Sequence, residues 1–169
     1  MKWTRSELEQ YSSLVEFEED VTIDDDAFQK NSRINRVCDV HVEGSGYLNE
    51  EEDSFFLSMD VDGVMIVPDA ITGKEIEYPF DTHTEEVYSF VDRDEDGVRL
   101  VDNDIVDTYQ AVVDAIFMEV PMQVTHASKE DYPQGDGWRI VTEEEYQNGQ
   151  EDKRDPRLAK LKELLKDDD

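Results

Sequence analysis

Phe55-Phe56-Leu57-Ser58-Met59-Asp60-Val61-Asp62-Gly63-Val64-Met65-Ile66-Val67 carries the pattern on which the fold turns. Phe55, Leu57, Met59 and Val61 alternate with other residues, the period-2 signature of a strand with one buried face. Asp62-Gly63 reads as a tight turn, after which Val64 to Val67 forms a second, continuous apolar run. Working toward the N-terminus, the acidic Asn49 to Asp53 segment reads as a turn, and Cys38, Val40 and Val42 alternate before it. Gly44 and Gly46 mark a bulge or a close backbone approach in that strand. Val15, Phe17, Val21 and Ile23 share one parity and predict an earlier strand. Working toward the C-terminus, Thr72-Gly73 is a turn, Ile76, Tyr78 and Phe80 alternate, and Val87 to Val91 closes the series. Connections this short cannot join parallel neighbours, so four to six antiparallel strands are predicted.

Beyond residue 100 the period changes. Ile105, Val106, Tyr109, Val112, Val113, Ile116, Phe117 and Val120 recur at helical spacing. They predict an amphipathic helix over 104–120, of about four turns, capped by Asp102 to Asp104 and stopped by Pro121. A short helix over Thr4 to Tyr11, with Thr4 and Glu7 at capping-box spacing, opens the chain. A helical turn is expected around Ala27 to Asn31, and a brief strand at Met122 to Val124. Lys129 to Gly137 reads as a loop, from which Trp138, Ile140 and Val141 return the chain to its body. Thr142 and Glu145 repeat the capping-box spacing. The fold class is α+β: a curved antiparallel sheet or partly closed barrel, packed by one long amphipathic helix, with a C-terminal helical extension. Residues 1–147 are expected to form one domain, 148–154 a linker, and 155–169 an amphipathic helix with an acidic end.

Charge is unevenly distributed. The 169-residue chain has 45 acidic and 16 basic residues, a net charge of −29. Residues 1–149 hold 38 acidic and 10 basic side chains, whereas 150–169 hold 7 and 6. The body repels a bare nucleic-acid backbone and suits either plain solvation or a basic partner. The tail is locally basic. Asp155 and Pro156 open a helix in which Leu158, Leu161, Leu164 and Leu165 line one face, flanked by Lys153, Arg154, Arg157, Lys160, Lys162 and Lys166. A helix of about 12 residues is marginal alone in water. Its leucines must therefore dock, on this chain's own acidic body or on a partner. Lys30, Arg33 and Arg36 form a second basic group, spaced to share one side of a turn or short helix. The candidate binding residues are Lys30, Arg33, Arg36, Arg157, Leu158, Lys160, Leu161, Lys162, Leu165 and Lys166.

Catalytic signatures are missing. Asp92, Asp94, Asp96 and Gly97 open like a calcium loop, but Asn103 stands where a bidentate Glu is required. His41, His83 and His126 lie far apart, and no nucleophile elbow or phosphate-binding loop is present. Cys38 is the only cysteine, which excludes an intrachain disulfide and a thiolate-rich zinc site. No metal, cofactor, catalytic residue or small-molecule substrate is expected. Without an apolar signal region at the start or a stretch of about 20 apolar residues, no membrane association is expected, and the expected compartment is the cytoplasm.

Several segments carry a resemblance. Met1-Lys2-Trp3-Thr4, Tyr78-Pro79-Phe80-Asp81, Phe117-Met118-Glu119-Val120-Pro121-Met122-Gln123-Val124, Gly137-Trp138-Arg139-Ile140-Val141-Thr142-Glu143-Glu144-Glu145-Tyr146 and Asp155-Pro156-Arg157-Leu158-Ala159-Lys160-Leu161 follow in order along the chain. In these the sequence resembles the YceD family of large ribosomal RNA subunit accumulation proteins, of Gram-positive type. The resemblance implies a bacterial, non-catalytic protein supporting accumulation of large-subunit ribosomal RNA. It would act by binding a ribosomal RNA precursor or a basic ribosomal protein. An acidic adaptor regulating a cytosolic metabolic enzyme is the alternative. Some family members carry Cys-x-x-Cys at the turn after the apolar run, suggestive of metal binding. Here the corresponding positions are Asp69 and Thr72, and no cysteine follows in 126–137.

Overall fold

The computed structural model describes residues 1–147 apart from Ser12, Ser13, Asp25, Asp94 and Glu144. The chain divides into two compact units at His126/Ala127, each treated by itself. Among the described residues, no helix is long and apolar enough to cross a membrane.

Three long strands dominate the first unit: β3 (Arg36–Asn49), β4 (Ser54–Pro68) and β5 (Glu75–Ser89), preceded by β2 (Val15–Val21) and followed by β6 (Val98–Leu100). They form one sheet in the order β2-β3-β4-β5-β6. Its edges β2 and β6 are not joined, so the sheet is open and no barrel closes. In β4, Phe55, Leu57, Met59, Val61, Met65 and Val67 are all buried, as their parity predicts.

The strand does not turn at Asp62-Gly63. Asp62 pairs with Asp81 and Gly63 with Phe80 inside a continuous ladder. Phe55 and Val67 share one parity, so the alternation runs unbroken through the glycine. Gly63 is needed for packing instead: a Cβ there would sit 3.1 Å from the Phe80 ring and 3.2 Å from the Asp39 carbonyl oxygen. The reversal comes at Asp69–Lys74, where Gly73 takes φ 69. In β3 the bulge falls not at the glycines but between Cys38 and His41, with Asp39 at φ 53. Gly44 and Gly46 are sites of close approach. A Cβ on Gly44 would lie 2.4 Å from the Ser58 carbonyl oxygen, and one on Gly46 would lie 2.4 Å from the Phe55 ring.

One pairing departs from the antiparallel expectation. β6 runs parallel to β5, but only alongside Val87–Ser89, its last three residues. Residues 90–97 need carry the chain back only about 10 Å, which a short connection can do.

The predicted 104–120 helix is shorter than its apolar stripe. Residues Ile105–Asp107 form a strand, β7, antiparallel to β1 (Lys2–Thr4), and helix α2 spans Tyr109–Glu119. Asn103 and Asp104 take φ of 53° and 56°. This left-handed turn, which Asn and Asp tolerate best, ends any helix before it begins. Apolar residues at 105 and 106 fit either structure, and here Val106 is buried opposite Trp3. Of the predicted stripe Val112, Val113, Ile116 and Val120 are buried, while Ile105 and Phe117 are exposed. A single long amphipathic helix therefore does not cover the sheet. α2 packs on β4 and β5, and the β1–β7 ribbon supplies the rest, its Trp3 ring 5.2 Å from Phe17 and 6.0 Å from Phe55. Val120 is extended before Pro121 (φ −59, ψ 116), as a residue preceding proline must be.

Polar ties fix these pieces. Helix α1 (Arg5–Leu8) has the predicted Thr4–Glu7 capping box. Arg5 donates to Asp53 at 2.6 Å and to Glu9 at 3.1 Å, and lies over the Phe90 ring. Arg99 on β6 donates to Glu86 on β5 at 2.7 Å and to Asp114 on α2 at 2.9 Å. Residues 26–30 form successive turns closed by i to i+3 bonds such as Asn31 N to Phe28 O, 2.8 Å, where a helical turn is expected. Met122 to Val124 is not a strand; it makes a single backbone bond, Ala70 N to Val124 O at 2.8 Å.

In the second unit, Lys129–Asp131 is a single 3-10 turn boxed by Ser128 and Asp131. β8 (Gln134–Gly135) and β9 (Trp138–Arg139) pair around Gly137 at φ 81. Trp138 closes over Gly135 rather than entering a core, and it, Ile140 and Tyr146 are exposed. Half of the predicted Thr142 box is present, in Glu145 N donating to Thr142 Oγ1 at 3.3 Å.

The two kinds of glycine separate by mutation. Gly44→Ala drives a methyl into backbone, and is expected to cost ~1–3 kcal/mol or more in urea denaturation. Gly73→Ala has open space around it, and is expected to lose only the ~1–2 kcal/mol of left-handed strain.

Candidate functional site

The alternation that buries the odd residues of β4 turns its even residues to the opposite face. The ladder then sets side chains of four strands in rows across that outer face. Glu18, Glu43, Asp60 and His83 form one row, and Asp20, His41, Asp62 and Asp81 the next. On one side of these lie Glu16, Ser45, Ser58 and Glu85. Beyond that row the face turns apolar, where Tyr47 stacks on Phe56 with ring centroids 5.1 Å apart. In the other direction Glu77 and Glu75 continue the acidic run along β5, opposite Ile66 and Pro68. Among the described residues no helix packs here; α2 and the β1–β7 ribbon lie on the inner face.

Directly opposed residues in adjacent strands have Cβ atoms about 4.5–5.5 Å apart, and like charges at that spacing destabilise a sheet. Glu18–Glu43, Glu43–Asp60 and Asp62–Asp81 are such pairs. Two imidazoles relieve part of the repulsion. His41 Nδ1 is 2.8 Å from Asp20 and its Nε2 3.5 Å from Glu18. Its hydrogen bond to Asp20, with the added charges of Glu18 and Asp62, raises its pKa above the ordinary histidine value. His83 Nδ1 lies 2.8 Å from Asp60, and its Nε2 3.4 Å from Ser58 Oγ. Chemically the face is an exposed array of hydrogen-bond acceptors with an excess of negative charge, suited to lysine and arginine.

Lys30 and Arg33 lie in the turns that follow β2, and Arg36 opens β3. Lys30, Arg33 and Arg36 are all exposed. Arg33 bonds Asn31 Oδ1 through its backbone N (3.1 Å) and Nε (3.4 Å), and lines a small cleft of about 230 Å3 with Pro121 and Met122. Arg36 donates to both Glu75 oxygens at 3.3 and 3.4 Å. The segment between Lys30 and Arg36 is built of turns. Arg157, Leu158, Lys160, Leu161, Lys162, Leu165 and Lys166 lie outside the described residues, as do the 148–154 linker and the 155–169 helix. Sequence reading missed the acidic face. Its signal was the polar half of the alternation: Glu16, Glu18 and Asp20, then Asp60 and Asp62, then Asp81 and Glu85.

Asp69 is a second concentrated feature. It is buried, and its carboxylate accepts bonds from Ile71 N, Thr72 N and His126 N at 2.8 Å each and from Thr125 Oγ1 at 3.0–3.1 Å. These donors, led by Thr72 N, hold its pKa well below the usual carboxylate range despite burial. The carboxylate thus closes the 69–74 turn onto Thr125 and His126 with hydrogen bonds alone. A zinc ion does not fit: no thiolate is near, and N–H and O–H donors already point at both oxygens. No group of three or more metal-ligating side chains converges among the described residues. Of the calcium-like loop, Asp94 lies outside them, and Gly97 makes a turn at φ 82.

The family model for the large ribosomal RNA subunit accumulation protein YceD matches residues 57–165. The chain belongs to the YceD family. It is also 34% identical over 177 residues to the uncharacterized protein YlbN of Bacillus subtilis (strain 168), covering 100% of this chain and 99% of that one. No solved structure matches it significantly. The YceD match begins inside β4, so β2 and β3, which carry part of the acidic face, precede it. The likeness to YlbN includes them.

The Asp69 knot predicts a pH dependence. With the folded pKa depressed, its contribution is complete above the unfolded value of about 4 and is lost as pH falls below that. Asp69→Asn should therefore be less stable than the native chain at pH 7. The gap between their urea midpoints should narrow as pH falls below about 4; a constant gap would contradict this account.

Proposed function

We propose that this YceD protein supports large-subunit ribosomal RNA accumulation without catalysis, in the cytoplasm, by holding a basic ribosomal protein on the outer face of its sheet. The observation that carries this reading is the set of directly opposed carboxylates on a face that no element covers among the described residues. A sheet gains nothing in stability from Glu18–Glu43–Asp60 or Asp62–Asp81. A lysine- or arginine-rich partner converts that repulsion into attraction, speeds encounter and excludes acidic competitors. Ribosomal proteins that must meet RNA late need such a shield, because their cations otherwise bind any phosphate backbone. The same face rejects RNA. Of the basic residues among the described part, Arg36 is already neutralised by Glu75, which favours protein over RNA as the direct ligand.

The test is a titration of purified basic large-subunit ribosomal proteins with the native chain and with Glu18→Gln/Glu43→Gln/Asp60→Asn. The native chain is expected to form a stoichiometric complex, and the variant to bind at least tenfold more weakly and associate more slowly. The same variant relieves two repulsive pairs, each on the order of 0.2–1 kcal/mol, against the loss of the His41–Glu18 and His83–Asp60 contacts. An unchanged or higher urea midpoint therefore separates lost binding from a damaged fold. Ribosomal RNA binding at physiological salt that survives the triple substitution, and weakens when Lys160, Lys162 and Lys166 become Gln, would replace this reading with direct RNA contact. Specific retention of one metabolic enzyme instead would make the chain an adaptor.

A further inference from the structure

We propose that the outer edge of β2 accepts an extended, basic protein segment as an added strand. The inference rests on the basic-partner reading above and names the mode of capture. β2 is an edge of the five-stranded sheet, and among the described residues no strand pairs with its free side. Seven residues long, it offers about 23 Å of edge, with backbone groups able to extend the ladder.

Its side chains decide what can pair there. Glu16, Glu18 and Asp20 lie on the outer face, with the Glu18 and Asp20 side chains 72% and 92% exposed. A second copy of β2 would set these carboxylates against their own kind, so the edge resists self-association. A strand with Lys or Arg at alternate positions would instead set each cation directly beside a carboxylate. Its other residues would lie beside half-buried Phe17 and Val21 and the exposed Glu19, which is paired with the Met1 ammonium at 3.5 Å. The ladder between β2 and β3 stops at Val21–Val40, although β3 continues to Arg36. There the two chains part around a cleft of about 510 Å3, between residues 20–23 and 37–40. Asp20 and Asp39 are among the residues lining it.

The test uses a nine-residue peptide alternating Lys with Val, and two versions of it N-methylated on alternate residues, one set the complement of the other. Fluorescence anisotropy with the full chain should show the unmodified peptide binding. One methylated version should bind at least tenfold more weakly, because its methyl groups replace the N–H donors that face β2. The other should bind like the parent, its methyl groups facing solvent. Glu18→Gln/Asp20→Asn should weaken the parent peptide by a comparable factor, and hydrogen exchange should slow within 15–21 on binding. Equal binding by both methylated versions, equal loss by both, or no binding of the parent overturns the strand-addition inference. The ribosomal-protein titration decides the functional reading separately, because docking on the outer face needs no free β2 edge.

Discussion

The structure depends on one constraint: side chains of β3, β4 and β5 alternate between two faces, and the ladder locks that parity across all three. Shifting β4 by one residue would exchange Phe55, Leu57, Met59 and Val61 for Phe56, Ser58, Asp60 and Asp62. No such register leaves a core. The same lock that makes the interior apolar therefore makes the exterior acidic. The charged face is not a set of independent surface residues but the obligatory reverse of the core. Gly44 and Gly46 serve this arrangement by letting the Ser58 carbonyl and the Phe55 ring approach where a Cβ would collide, and Gly63 admits the Phe80 ring at a tight 3.1 Å.

Around the sheet, the remaining elements are held by a few charged or polar anchors. Arg99 joins β5, β6 and α2 through Glu86 and Asp114. Burial, with a smaller push from the carboxylates, leaves Tyr88 with its pKa raised, its hydroxyl donating to the Asp107 carbonyl. Arg5 joins α1 to the β3–β4 turn through Asp53. Asp69 does the same for the β4–β5 turn and residues 125–126. The Arg5 and Asp69 anchors sit where the chain reverses, and the Arg99 anchor ties two strands to the helix. In a protein with 45 acidic residues, Arg5, Arg36 and Arg99 each have carboxylate partners.

Much of this was legible in the residues, and the failures have definite causes. The alternation at 55–61, the capping box at Thr4 and the turn at Gly73 each have one physical solution, and the structure adopts it. Asp62-Gly63 has two, because glycine serves a turn and a tight interstrand contact equally well; only the shared parity of Val61 and Met65 distinguishes them. Ile105 and Val106 suit a helix face or a short strand alike, and the choice was made by Asn103 and Asp104, whose left-handed backbone leaves no mark on hydrophobic periodicity. The basic residues drew notice because they are scarce. The acidic face did not, because with carboxylates throughout the chain, the ones that matter differ only in which side of a strand they occupy. That is a property of registry, visible after pairing and not before.

The same logic bears on how such a face can be selective. A uniformly acidic surface attracts any cation, but rows fixed by the ladder present carboxylates at strand spacing, with about 4.8 Å between rows of neighbouring strands and about 6.7 Å along each strand. His41 and His83 interrupt the rows at fixed points, each tied to an aspartate at 2.8 Å, and so remove particular acceptors from the array. A partner matching the remaining positions must hold its own cations at similar spacing, as an extended segment does and a helix does not. Rigid spacing rather than total charge thus gives the face its discrimination, and the rigidity comes from the packing of Val42, Met59 and Val61 on the other side.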